Sequence, residues 1–170
     1  MSNPLSMFST GWLSSLSSIF GKTKYQRKNL LVSASQAPST SVHITQMDFN
    51  NLVIGKTYRI THQVWSALQN VVGHIDNWQV SYRMSGSKVL NLGHGEPATN
   101  GTTGGAYGGS ASVPFVATAT TLEFWFTVGG GSGAGMSVVL YGQDAFAAPG
   151  QVTFAIIEEL PNHTVTTEWT

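Results

Sequence analysis

The sequence predicts an all-β protein, a jelly-roll-like antiparallel sandwich with an N-terminal amphipathic helical arm. Several segments alternate apolar and polar residues with a period of two, which is typical of half-buried strands. Glycine-rich turns separate these segments, and no second helical pattern follows the N-terminal one. With 170 residues, the chain has enough material for one ordinary domain and an arm.

The N-terminal residues predict a docking helix. Asn3 is a favoured N-cap, and Pro4 fits the first helical position. Serines and threonines occupy one face, and Gly21 stands where the helix would stop. The opposite face carries an apolar stripe with two flanking apolar residues: Leu5, Phe8, Trp12, Leu16 and Ile19, flanked by Leu13 and Phe20. Because serine is a weak helix former, we expect this helix to need a partner surface.

Charge is sparse and unevenly distributed. Only 9% of residues are charged, and eight basic residues balance eight acidic ones. No acid precedes Asp48, so the first 47 residues carry +4, and the rest carry four basic and eight acidic charges, or −4. The N-terminal charges are Lys22, Lys24, Arg27 and Lys28. Such a cluster suits nucleic acid, anionic lipid or an acidic protein surface. Because the apolar stripe would supply most of the affinity, we expect an acidic protein surface rather than nucleic acid.

The first β-like pieces are short. Residues 30–32 and 42–44 have strand character, and a small polar linker at 33–41 joins them. We therefore predict three parts: the amphipathic helix and basic docking arm at 1–28, a linker with leading strands at 29–47, and the jelly-roll-like sandwich at 48–170.

Longer strand patterns begin at Thr57. The residues predicted to share one face of that strand are Tyr58, Ile60, His62 and Val64. Similar alternation occurs at 78–84 and 121–128, and the residues 85–87 predict a turn between strands. The glycine-rich segment 93–112 predicts a long loop, because it has no aliphatic side chain larger than alanine.

No residue pattern indicates catalysis or a cofactor. The chain has no cysteine, and its histidines lack the spacing of a helical zinc site. Glu158 and Glu159 are adjacent on a predicted strand, so their side chains would point to opposite faces. No apolar run approaches the ~20 residues of a membrane-spanning helix. We therefore predict no catalytic site, metal site, cofactor or membrane span.

Trp125 is the strongest candidate for an outward contact residue. It is out of phase with Leu122, Phe124 and Phe126, so it lies on the other face of their strand. An outward tryptophan commonly marks a contact with another subunit or a ligand. Exposed aromatic residues are also compatible with a carbohydrate-binding module.

Two segments resemble structural proteins of tailed bacteriophages, particularly fibre and capsid-decorating modules. Residues 48–60, DFNNLVIGKTYRI, are similar to the beginning of such a sandwich, and 152–161, VTFAIIEELP, to its last strand. The resemblance implies a jelly-roll module, often trimeric in the manner of C1q- and TNF-like sandwiches.

These observations predict a virion structural protein. The leading hypothesis is a homotrimeric capsid decoration or cement protein, located in the virion and anchored by its N-terminal arm to the capsid protein. A tail-fibre or adaptor subunit bound to a tail component is the alternative of the same class. A carbohydrate-binding sandwich module is the alternative of another class.

Overall fold

The structure, a computed structural model, is all-β. It describes residues 25–69, 74–75, 77–95, 106–132, 137–144 and 152–161. The predicted helix lies outside these residues. Within them, the one helical element is a 3₁₀ turn at Thr45–Met47. The all-β prediction is therefore confirmed for the described part of the chain.

Twelve strands are present in the described ranges. They are β1 (Tyr25–Asn29), β2 (Ala34–Gln36), β3 (Thr40–His43), β4 (Thr57–Gln69), β5 (His74–Ile75), β6 (Trp78–Met84), β7 (Ser87–Gly95), β8 (Ala106–Val116), β9 (Glu123–Val128), β10 (Gly131–Ser132), β11 (Ser137–Leu140) and β12 (Phe154–Glu159).

Two antiparallel sheets pack face to face. The first sheet has the order β1–β12–β4–β11–β2, and β8 pairs with the other edge of β4. The second sheet has the order β3–β9–β6–β7. A short pair, β5 with β10, continues the register of β6 with β9, since Ile75 pairs with Gly131 and Trp78 with Val128. The 13-residue strand β4 lies at the centre of the first sheet, because it is paired along both edges.

The core forms between the inner faces of the two sheets. The alternation predicted for β4 is confirmed, since Tyr58, Ile60, His62 and Val64 are all buried. From the second sheet, Tyr82 meets Phe124 edge to face with ring centroids 5.3 Å apart. Such aromatic pairs add to the stabilisation that comes from burying their area.

The chain turns where the sequence supplies residues that tolerate positive φ. Gly55, in the turn before β4, has φ of 84°. Ser85 and Gly86 join β6 to β7 with φ of 49° and 80°. Two successive positive φ values are required by type I′ turns, which match the twist of a two-residue hairpin. The turn predicted at 85–87 is confirmed.

The loop predicted at 93–112 is wrong at both ends. Strand β7 extends to Gly95, and β8 begins at Ala106 and pairs with β4 along its whole length. Residues 96–105 lie outside the described residues. The segment forms a strand because ladder hydrogen bonds use only the backbone, and an edge position demands few packed side chains.

The first strand also differs from the prediction. Residues 30–32 were expected to be extended, but β1 spans Tyr25–Asn29 and pairs with β12. The predicted arm boundary at residue 28 therefore lies inside a strand of the first sheet. Residues 25–29 have no alternation of apolar and polar side chains that would predict a strand, because they are mostly polar. Polar residues suit an edge strand, which has one open side.

A polar pair links the two sheets inside the core. His62 of β4 is buried, and its Nδ1 is hydrogen-bonded to the hydroxyl of Tyr82 on β6 at 3.4 Å. The Nε2 atom is buried and has no hydrogen-bond partner among the described residues. Burial lowers the pKa of His62 to about 4 and raises the pKa of Tyr82, so both side chains stay neutral at pH 7.

We predict that acid weakens the sandwich through His62. The unfolded chain binds a proton on this residue below about pH 6.5, whereas the folded chain binds it only near pH 4. The stabilisation is therefore complete above pH 6.5 and is lost as pH falls through 4, a change of about 3 kcal/mol. Urea unfolding of the wild type and His62→Gln between pH 7.5 and 4 measures it. The difference in unfolding free energy between the two proteins should change by that amount, and a difference independent of pH would contradict the prediction.

Candidate contact site

Most of the predicted docking residues lie outside the described part of the chain. These are Leu5, Phe8, Trp12, Leu13, Leu16, Ile19, Phe20, Lys22 and Lys24. The structure does describe Arg27 and Lys28, and it places them in β1 of the sandwich. The guanidinium carbon of Arg27 lies 4.5 Å from the ring centroid of Phe154 on the neighbouring strand. Arg27 therefore covers part of the first sheet's outer face.

That outer face is partly apolar, and Arg27, Arg59 and Glu158 border its apolar residues. Its half-buried side chains come from β12 and β4: Phe154, Ile156, Thr61, Gln63 and Trp65. Small residues of β8 lie beside them, with Ser110 opposite Gln63 and Ser112 opposite Thr61. We call this surface the β4–β12 face. It includes a shallow cleft of about 270 Å³ lined by Gln63, Trp65, Gly109 and Ser110.

The outer face of the second sheet has a different character. The indole of Trp125 on β9 stacks on the His43 ring of β3, with centroids 5.0 Å apart and planes inclined by 8°. The guanidinium carbon of Arg83, from β6 on the other side of β9, lies 4.1 Å from the indole centroid. Three strands thus contribute to one stack, in which an aromatic ring separates an imidazole from a cation.

Asp48 holds one end of this stack in place. Its Oδ1 accepts a hydrogen bond from the backbone N–H of Phe124 at 2.9 Å. Nε2 of His43 lies 3.0 Å from Oδ1 and 2.9 Å from Oδ2, and it donates because a carboxylate can only accept. Asp48 is itself buried. Asp48 therefore orients the imidazole that stacks on Trp125.

Glu123 fixes the indole from its edge. The Nε1–H of Trp125 donates to Oε2 of Glu123 at 2.9 Å. We call these residues the Trp125 cluster: His43, Asp48, Arg83, Glu123 and Trp125. The predicted outward orientation of Trp125 is confirmed, because the residues on either side of it, Phe124 and Phe126, are buried. Its role as a subunit or ligand contact stays a prediction.

The geometry does not favour Trp125 as a sugar-stacking platform. Carbohydrate rings pack on an open aromatic face, whereas His43 and Arg83 approach this indole from opposite neighbouring strands. The cluster instead presents an indole edge and a guanidinium. The alternation of its strand points to Trp125 alone, because His43, Asp48 and Arg83 are more than 40 positions away along the chain and no local pattern joins them to it.

The described residues form neither a metal centre nor a membrane span. No group of three or more histidine or acidic side chains in this part of the chain is arranged to hold a metal ion. No helix among the residues that the structure describes is long and apolar enough to cross a bilayer.

Comparisons with known proteins find distant likenesses of fold. No family model and no curated protein matches the sequence. The structure is similar to part of dimeric latent PorU from Porphyromonas gingivalis, with a TM-score of 0.42 and 11% identity over 81% of this chain and 12% of that one. It is also similar to Eiger TNF from S. frugiperda, with a TM-score of 0.42 and 8% identity over 82% of this chain and 98% of that one.

A third likeness is to a chain of infectious bursal disease virus, Gt strain. The TM-score is 0.45 and the identity 10%, over 82% of this chain and 38% of that one. The protein thus spans well under two thirds of the PorU and virus chains. These three likenesses are too distant to assign a function, and none is to a tailed-bacteriophage protein. The bacteriophage resemblance therefore stays a prediction.

We predict that Asp48→Ala destabilises the sandwich by about 2–3 kcal/mol. The change leaves the buried Phe124 N–H without its acceptor and releases His43 from the stack. Chemical denaturation at pH 7 measures the loss. Glu158→Gln is the matched control, because its ion pair with Arg59 is partly exposed and should contribute less than about 0.5 kcal/mol. Equal effects of the two substitutions would contradict the anchoring role of Asp48.

Proposed function

We propose that the chain is a non-enzymatic structural protein of a virus particle. In this proposal it is a jelly-roll module that decorates or cements the capsid, is mounted by its N-terminal arm and associates as a homotrimer. One observation carries the proposal: an amphipathic, basic arm leads directly into an edge strand of a sandwich with a partly apolar outer face.

The position of β1 supports attachment to the particle through the arm. Residue 24 precedes β1, which is the outermost strand on one side of the first sheet. A segment that leaves the sandwich there can reach a neighbouring protein without disturbing the core. Each large apolar residue of the stripe would contribute about 1.5–3 kcal/mol on burial, before the cost of ordering the arm. Three arms on one trimer would add avidity without a large interface for each copy.

The order of the strands supports the jelly-roll assignment. One sheet contains β1–β12–β4–β8 and the other contains β3–β9–β6–β7. Along the chain, the path crosses between these sheets repeatedly, and the last strand returns beside the first. Connections of this kind are typical of Greek-key and jelly-roll sandwiches.

The β4–β12 face supports association between copies. Ile156 and Phe154 lie half-buried at its centre, and uncharged Thr61 and Gln63 stand opposite them on β4. An outer sheet face normally carries polar residues, so a partly apolar one indicates a covering partner. The arm provides attachment to a different protein, which leaves this face for a second copy.

We predict that deletion of residues 1–21 leaves a folded sandwich that no longer attaches to its particle. The apolar stripe is local to the arm, so the core of the two sheets should not depend on it. Thermal unfolding and co-sedimentation with particles assembled without this protein test the two parts. The paired change Phe8→Ser with Trp12→Ser should also abolish attachment, whereas Ser14→Ala with Ser17→Ala on the opposite helical face should not. Loss of folding on deletion would show instead that the stripe belongs to the core.

We predict a homotrimer in which Ile156 lies at the contact between subunits. Light scattering on the purified protein should give three times the 18.1 kDa of one chain. Ile156→Asp should shift the mass to that of a monomer without changing the circular dichroism spectrum. Ser41→Asp, on the exposed outer face of the second sheet, is the control and should stay trimeric. A monomeric wild type at micromolar concentration would overturn this part of the proposal.

Electron microscopy of intact particles distinguishes the two virion locations. A label on the C-terminus should decorate the head of a particle if the protein is a cement protein. Labels confined to the tail would favour a tail-fibre or adaptor subunit in place of the cement role.

A further inference from the structure

The arginine of the Trp125 cluster forms no ion pair with the acids that the structure describes. The described residues form three ion pairs, namely His43 with Asp48, Lys56 with Glu159, and Arg59 with Glu158. Arg83 takes part in none of them. Its guanidinium carbon lies 4.1 Å from the Trp125 ring centroid, and its Nε is buried without a hydrogen-bond partner among those residues.

A pairing of Arg83 with Glu123 would be the ordinary outcome. The two residues stand directly opposite each other on β6 and β9. The Glu123 carboxylate, however, accepts from the indole N–H of Trp125 at 2.9 Å. The Glu123 carboxylate thus lies at the edge of the indole, whereas the Arg83 guanidinium lies over its face. The contacts of the cluster keep the two opposite charges apart.

A second polar group beside Arg83 also lacks a partner. Ser81 precedes Arg83 by two residues on β6, on the same outer side of the strand, and stands opposite Trp125. It is fully buried, and its hydroxyl has no hydrogen-bond partner in the part of the chain described. The Arg83 N–H can only donate, so it calls for an accepting group, and the Ser81 hydroxyl can donate to the same group.

Lys88 adds a second positive charge. It stands opposite Arg83 on β7, and its Nζ donates to Oε1 of Gln79 at 3.3 Å. The ammonium group therefore lies along the stretch of β6 that contains Ser81. Arg83 and Lys88 carry +2 and Glu123 carries −1, while the second carboxylate of the Trp125 cluster, Asp48, is buried against His43.

We propose that Arg83, with Lys88 and Ser81, forms a binding site for the carboxylate of an acidic segment of a partner protein. A guanidinium presents parallel N–H groups that match the two oxygens of a carboxylate. The chain of contacts from Phe124 through Asp48, His43 and Trp125 holds that group in place before the partner arrives. The covered faces of Trp125 favour a peptide carboxylate over an acidic sugar, because a sugar ring would find no aromatic face to stack on. The site does not depend on the virion role, and its failure would leave that proposal standing.

The site can be tested by NMR titration of the full-length protein. The probe is a capped peptide of three glutamates, and the signals followed are the indole N–H of Trp125 and the side-chain N–H of Arg83. We expect saturable shifts of both signals with the glutamate peptide and none with the matching glutamine peptide. Equal shifts with sodium chloride at the same ionic strength, or shifts that do not saturate, would overturn the proposal. Tighter binding of glucuronate than of the glutamate peptide would overturn the choice of a protein partner.

Four variants separate binding from a purely structural role. Arg83→Gln should weaken the peptide at least tenfold, and Arg83→Lys should weaken it less, because the charge stays while the paired N–H groups are lost. Glu123→Gln should bind several-fold more tightly, since a repelling charge is removed while an acceptor for the indole remains. Arg59→Gln, on the other sheet, is the control and should bind as the wild type does. If Arg83→Gln fails to fold, the opposite effects of Arg83→Lys and Glu123→Gln still decide the matter, and unchanged affinity in both would refute the site.

Discussion

The structure depends on the packing of β4 in the first sheet against β6 and β9 in the second. Strand β4 is paired on both edges, so it cannot shift without breaking two ladders. Its inner residues meet the aromatic side chains of Tyr82, Phe124 and Phe126. Because successive side chains of a strand point to opposite sides, this packing also determines which residues face outward. Trp65, Arg83 and Trp125 are therefore surface residues as a direct consequence of the core.

The two outer faces that result are suited to different partners. On the first sheet, Phe154 and Ile156 lie beside the uncharged side chains of β4, and Arg27 lies over Phe154 from β1. The apolar part of this surface can be covered by another apolar surface. On the second sheet, the Trp125 cluster holds fixed charges and donors, which suit a polar or charged partner. In the proposed assembly, contacts between copies of the chain are separate from contacts with other proteins.

Part of the candidate site was visible in the sequence, and part was not. The alternation of β9 placed Trp125 on the outside of its strand, and this was correct. Nothing local connected it with His43 or Arg83, because each belongs to a different strand and becomes a neighbour only when the second sheet forms. Asp48 is the first acid of the chain, but its buried position beside the Phe124 N–H follows from the pairing of Phe49 with Leu122.

The sequence by itself determined the periodic features of this protein: the strands with strong alternation, the Ser85–Gly86 turn, the apolar stripe and the basic cluster of the arm. Period and turn chemistry are local properties, so a single chain reports them. The tertiary structure alone decided that the glycine-rich residues from Ala106 form a strand, that the polar residues from Tyr25 begin the first sheet, and that Arg83 lies without an acid on Trp125. Each of these outcomes depends on what lies across the sheet. Backbone pairing and the contacts between strands come from residues far apart along the chain, which no local pattern can specify.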